Sequence, residues 1–293
     1  MPLILEVKTI QATAFRVLIE SLKELLTDVN IEFRRKENIK KNDNNIDSIH
    51  SNELDENRPA KRNKGGIRIM AMNSKKTVLI HLKLDAENFD IFNCEKKKIL
   101  IGINMLHFFK LIKTIDNSSI LTLFMDSDDT GKLGIKIENA EKKQVSIYKL
   151  SLMDLDSDPL DVPPTSFDAV ITMPSSDFHK LCRDMNHISE YIEIQSAGKN
   201  IILKGHGDIA QQETILGETP NGVSINRNEN NNTIVQGKYE LKHLVMFTKC
   251  TNLCPSIDIY MKNEYPLVIH YQVASLGDIY LCLTPVIDDS DMQ

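Results

Sequence analysis

Hydrophobic residues recur along this chain with two periods. Four stretches carry the three-to-four-residue spacing of a helix with one buried face. Phe15, Leu18, Ile19, Leu22, Leu25 and Leu26 form the first stripe, and Phe108, Ile112 and Ile115 the second. Phe178, Leu181, Cys182 and Met185 form the third, and Leu241, Leu244, Val245 and Thr248 a fourth, less regular one. Ser175, followed by Ser176 and Asp177, is the predicted N-cap of the third helix, since its hydroxyl can accept from an N–H that the first turn leaves open. Between the stripes lie short β-type runs: Thr77–Lys83, Ile120–Met125, Leu133–Ile137, Val145–Leu152, Ala169–Met173, Ile192–Gln195, Ile201–Lys204, Ile257–Met261, Leu267–Val273 and Ile279–Leu283. Many short strands with four short helices predict an α+β fold.

Two segments are predicted not to pack. Arg34–Gly65 is rich in Asn and charge with scattered apolar residues, a composition that cannot repay its ordering entropy, and reads as a disordered insertion. Gly217–Asn232 is a milder break. Between Leu155 and Phe167, Pro159, Pro163 and Pro164 predict an extended connector. The chain also repeats faintly. Glu6–Phe15 matches Ala169–Phe178 at an offset of 163, and Lys113, Leu121, Leu123 and Met125 match Lys249, Ile257, Ile259 and Met261 at 136. The difference of 27 is about what the insertion supplies, so two similar halves are expected, each with two helices. The expected boundaries are residues 1–152, with insertion 34–65, a connector at 153–167, and residues 168–293.

Composition narrows the class. Of 293 residues, 41% are hydrophobic and 26% charged, the balance of an ordinary globular protein. No run approaches the roughly 18 apolar residues that would span a bilayer, and the opening residues are not those of a signal peptide, so no membrane partner is expected. Five cysteines are an odd number and read as reduced thiols. The net charge of −6 argues against bulk electrostatic coating of DNA, which shifts attention to where the cations lie. Arg16 and Lys23, Lys110 and Lys113, Lys180 and Arg183, and Lys242 and Lys249 fall on the polar sides of the four predicted helices. One such face is an ordinary solvated surface. Four in one acidic chain describe a basic surface suited to sequence-independent contact with a phosphate backbone.

Catalytic chemistry finds no footing. Asp126–Gly131 resembles the start of a calcium loop, but Ile137 stands where the bidentate glutamate belongs, and a hairpin turn is the better reading. Cys250 and Cys254 lack a second ligand pair for zinc. His179 and His187 flank a basic helix face and read as surface histidines. No phosphate-binding glycine loop, nucleophile elbow or paired-histidine zinc motif occurs. The chain is expected to be non-enzymatic, without cofactor or metal.

Three ordered motifs resemble one family. Met173–Phe178, Leu181–Met185 and His187-Ile188 resemble the central helix of eukaryotic sliding clamps of the proliferating cell nuclear antigen (PCNA) kind. Leu152–Asp156 with Leu160, Val162 and Pro163 is similar to their interdomain connector. Pro266–Ile269, Tyr271, Leu276-Gly277, Leu283, Pro285, Ile287 and Asp288-Asp289 are similar to their last strands and tail, and Leu5–Lys23 to their first strand and helix. The resemblance implies the DNA-clamp fold: two similar domains per chain, each with two helices packed on antiparallel sheets. It implies a head-to-tail homotrimer that encircles duplex DNA, with Arg16, Lys23, Lys110, Lys113, Lys180, Arg183, Lys242 and Lys249 facing it. A partner-peptide pocket built by Met72, Leu160, Val162, Pro266, Leu283, Pro285 and Ile287 is implied, taking PCNA-interacting peptides of DNA polymerase and other proteins. A clamp loader, a role in replication and repair, and a nuclear or viral replication site come with it. Subunits are expected to join an edge near Gln144–Ser151 to one near Ile209–Ile215 of the next chain. Departures are Cys282 in place of a family tyrosine, and Gly198 where relatives carry the lysine for ubiquitin or SUMO, with Lys199 beside it. Basic residues within Arg58–Lys64 suggest a localisation signal or DNA contact, though a solvated loop is favoured. Two alternatives stay open: a monomeric or dimeric clamp-like processivity factor, and one subunit of a checkpoint-type hetero-ring.

Overall fold

Strand and helix follow one another in the same succession twice along the chain. The computed structural model describes residues 2–36, 65–156, 160, 165–220, 222–227 and 234–286. The first pass runs β1 (Leu3–Thr9), α1 (Ala12–Leu25), β2 (Asp28–Arg34), β3 (Gly66–Met72), β4 (Val78–Asp85), β5 (Ile91–Cys94), β6 (Lys98–Asn104), α2 (Met105–Ile112), β7 (Ser119–Asp126), β8 (Lys132–Asn139) and β9 (Gln144–Ser151). The second runs β10 (Ala169–Pro174), α3 (Ser175–Asn186), β11 (Tyr191–Ala197), β12 (Asn200–His206), β13 (Gln211–Gly217), β14 (Ser224–Arg227), β15 (Val235–Glu240), α4 (Leu241–Phe247), β16 (Ser256–Met261), β17 (Leu267–Val273) and β18 (Gly277–Leu283). The chain divides into two compact units. One holds residues 1–16, 27–71 and 82–166; the other holds 17–26, 72–81 and 167–293.

In the first unit the strands run β5-β1-β7-β8-β9 in one sheet and β4-β3-β2-β6 in order elsewhere. In the second they run β14-β10-β16-β17-β18 and β13-β12-β11-β15. Place for place these are the same orders. The antiparallel strands alternate buried and half-exposed residues, as in β8 and β16, because successive side chains point to opposite faces. Burying one such Leu, Ile or Phe contributes about 1.5–3 kcal/mol. Phe15 of α1 and Phe108 of α2 meet edge to face at 6.2 Å, which fixes how these helical faces interlock. Asn104 caps α2 by accepting from the His107 N–H at 3.0 Å.

Several expectations need correction. Ser175 does not cap α3: Pro174 holds that position, and the Ser175 hydroxyl instead donates to the Cys254 carbonyl at 2.7 Å. Buried at the start of the helix, it is nearer to that carbonyl than to any open N–H. Gly217–Asn232 is not wholly unpacked, since β14 pairs with β10 from Ala169–Arg227 to Thr172–Ser224. Arg34, placed in the insertion, ends β2 opposite Gly66; residues 37–64, including Arg58–Lys64, lie outside the described residues. The α-helix α4 stops at Phe247, and Lys249 stands in a tighter 3-10 segment, Thr248–Leu253. The strand part of the repeat is offset by 164, because Val7 faces Leu123 while Ile171 faces Ile259. The extra residue is absorbed at the β1–α1 turn, where Ile10 is exposed and its N–H donates to Asp90 Oδ2 at 2.9 Å. Asp126–Gly131 does form the tip of the β7–β8 hairpin.

Candidate functional site

The helices present their cations unequally. Each is amphipathic, so packing its apolar stripe leaves the polar side chains outward. In the first unit Lys110 and Lys113 of α2 are exposed. In the second, α3 packs beside α4, and Lys180, Arg183, Lys242 and Lys249 are all exposed. Among the described residues Lys110, Lys113, Lys180 and Lys249 form no ion pair. Arg183 lies 3.5 Å from its neighbour Asp184 and Lys242 pairs with Glu240, both at the surface, where such pairs are weak. Glu240 is accordingly held below the usual carboxylate range, chiefly by its hydrogen bond from Lys242. Arg16 and Lys23 differ from the expectation of open solvent-side cations: both are half-buried, and Lys23 pairs with Glu24.

The residues expected to take a partner peptide are divided. Met72 is 40% exposed, and Pro266 and Pro285 are half-buried, all in the second unit. Leu160, in the first unit, is half-buried. Leu283 is 1% exposed, because its place in β18 points into the core opposite Leu267. It supports a surface rather than lining one. Val162 and Ile287 lie outside the described residues. Cys282 is buried, and burial pushes its thiol up to about 12, which makes it a packing residue and an unreactive one. Gly198 occupies the tight β11–β12 turn at φ +58°, backbone that disfavours a lysine by about 1–2 kcal/mol. Lys199 beside it is exposed.

Two strands finish their sheets with nothing beside them among the described residues: β9 in the first unit and β13 in the second. Val145 and Ile147 of β9 are 56% and 59% exposed, and Ile215 of β13 is 58% exposed. An edge that offers both unpaired backbone groups and apolar side chains is a template for another strand. The second unit shows a filled version of this arrangement. β18 takes the place of β9, yet residues 78–81 of β4 lie beside it, and the Thr284 N–H donates to the Thr77 carbonyl at 3.0 Å. The sequence located these edges by resemblance; the exposure of Val145, Ile147 and Ile215 becomes visible only once the pairing is known.

A second polar feature escaped the sequence. His270 of β17 lies between Asp258 Oδ2 at 3.2 Å and Asp278 Oδ1 at 2.8 Å, stacked on Tyr280 at 4.7 Å. Thr172 donates to the other oxygen of Asp258 at 2.7 Å. Burial alone would lower the imidazole pKa, but the two carboxylates outweigh it and raise it to about 9. No group of three or more candidate ligands for a metal ion occurs among the described residues. No helix there is long and apolar enough to cross a membrane.

Comparison with known proteins agrees with this architecture. The family model "Proliferating cell nuclear antigen, N-terminal domain" matches residues 46–159, and the corresponding C-terminal domain model matches residues 161–286. A probable DNA polymerase sliding clamp of Acanthamoeba polyphaga mimivirus is 30% identical over 297 residues, spanning 97% of this chain and 62% of that protein. A probable DNA polymerase sliding clamp 1 of Paramecium bursaria Chlorella virus 1 is 30% identical over 286 residues, 96% of each. Paired domain models, full-length similarity and a strand order that repeats twice leave one assignment: the chain belongs to the proliferating cell nuclear antigen family, the DNA sliding clamps.

Proposed function

We propose that three copies of this chain close head to tail into a ring that encircles duplex DNA and keeps a DNA polymerase attached to it. The observation that carries this reading is the pair of open, apolar edges on β9 and β13, set against the filled β18 edge of the same fold. Joining β9 of one copy to β13 of the next satisfies both edges, and a head-to-tail contact that repeats must close or grow into a filament. The exposed lysines of α2, α3 and α4 then supply weak contacts to phosphates. Several weak, solvated contacts permit sliding, while topology prevents escape.

Met72, Pro266 and Pro285 are the apolar surface offered to aromatic anchors of polymerase and repair-protein peptides. The ring acts as a scaffold without chemistry of its own and needs a loader to open it. The replication site of a large DNA virus is the favoured setting, because both relatives named above are proteins of such viruses.

Light scattering at low micromolar concentration and physiological salt tests the assembly. A species about three times the 33.3 kDa chain mass is expected. A persistent monomer or dimer would point to an open-cleft processivity factor, and trimerisation only with other chains to a hetero-ring. Loaded on nicked circular DNA, the ring should stay bound and be released when the circle is cut.

A further inference from the structure

The chain leaving β9 crosses the first unit at one point, and that point has been cleared for it. The Met153 N–H donates to the Gly102 carbonyl at 2.8 Å, an isolated antiparallel bridge on the outer side of β6. A Cβ on Gly102 would sit 2.4 Å from the Met153 carbonyl oxygen and 2.9 Å from Leu155 Cγ. A backbone oxygen at that range cannot be met by a flexible side chain swinging away, so any other residue displaces the connector. Asn30 of β2 pairs in register with Gly102, and its amide donates to the Leu155 carbonyl at 3.2 Å. One strand therefore makes the space and its neighbour holds what fills it.

The second unit supplies an internal control. Lys238 lies two residues before β15 hands over to α4, as Gly102 lies two before β6 hands over to α2. There the Val286 N–H donates to the Lys238 carbonyl, also at 2.8 Å. The clip is the same, but Lys238 and its register partner Glu193 replace Gly102 and Asn30. A charged pair with long side chains suffices where the departing chain only touches the edge. Gly102 and Asn30 are needed where the chain lies over it.

We propose that Gly102 and Asn30 are positioning residues that set the path of the connector from Leu152 to Asp156, and through it the affinity of the partner-peptide site. The effect on peptide affinity rests on the function proposed above; the path of the connector does not. The test compares wild type with Gly102→Val and Asn30→Ala, using hydrogen exchange over residues 150–156 and binding of a synthetic peptide with paired aromatics. Gly102→Val should speed exchange at the Met153 amide by about tenfold or more and weaken the peptide by about tenfold, mostly through faster dissociation. Asn30→Ala, which introduces no clash, should move both readouts in the same direction by about two- to fivefold. Lys238→Ala should leave both unchanged. Wild-type protection at Met153 in both variants would overturn the proposal even if peptide binding fell. Faster exchange with unaltered peptide affinity would also overturn it, by separating the connector from the site. If wild-type protein binds no such peptide, the partner reading fails, and exchange alone decides whether the cradle exists.

Discussion

The two units repeat one strand order but treat its outer strand in opposite ways. In the second, β18 has residues 78–81 of β4 beside it, and its Tyr280 and Leu281 are half-buried or buried. In the first, β9 occupies the same place with an open flank and exposes Val145 and Ile147. The core positions are filled alike in both, so this is a difference of surface, not of fold. A duplicated architecture in which one copy has its neighbour and the other lacks it indicates where a second chain belongs. The rest of the contrast follows the same line, since the chain leaves β9 over Gly102 but leaves β18 past Lys238.

Making the open edge polar should have the largest effect on that contrast. Ile147→Glu places a carboxylate where an apolar contact is proposed, and should convert the trimer into monomer by light scattering with little change in melting temperature. The matching change in the filled junction, Ile80→Glu, buries a charge at a fully buried site and should instead unfold the protein. If Ile147→Glu stays trimeric, β9 is not the joining edge.

Charge reversal on the helices should come next. Lys180→Glu with Lys249→Glu should reduce retention on DNA by about tenfold or more and flatten its salt dependence, because each lost phosphate contact removes about 0.9 from the salt slope. Thermal stability should hold, as both side chains are exposed and unpaired. An unchanged salt slope would remove these helices from the DNA-facing surface.

The smallest effect is on stability and is confined to the second unit. His270 is raised to about 9 in the folded protein from 6.5, so its stabilising charge is fully present below about pH 6.5. That contribution is lost as pH rises through about 9. His270→Gln should therefore cost about 2–3 kcal/mol near pH 6, by the roughly 1.4 kcal/mol that each pKa unit represents, and much less near pH 10. Urea unfolding at the two pH values reads the difference. A cost independent of pH would mean that the ring acts by packing on Tyr280 and not by its charge.

The amino-acid order by itself determined the helical stripes, most of the strands and the doubling of the fold. Each of these depends on local periodicity, and apolar side chains must repeat every two or every three to four residues to reach one core. Phe108, Ile112 and Ile115 are buried as their spacing requires, and β17 spans Leu267–Val273 as its apolar run does. The strands β2, β3, β6 and β14 were less legible, since they are short or polar and are held by pairing with their neighbours. Only the tertiary structure decided that Arg16 and Lys23 are half-covered, that Leu283 is core, and that Ser175 ties down a carbonyl instead of capping a helix. It alone set Asp258, His270 and Asp278 together and Gly102 beneath Met153. Such relations depend on strand register and on close approach between segments far apart in the chain. Hydrophobic periodicity fixes which face of a strand is buried, but not which residue on another strand will lie across from it.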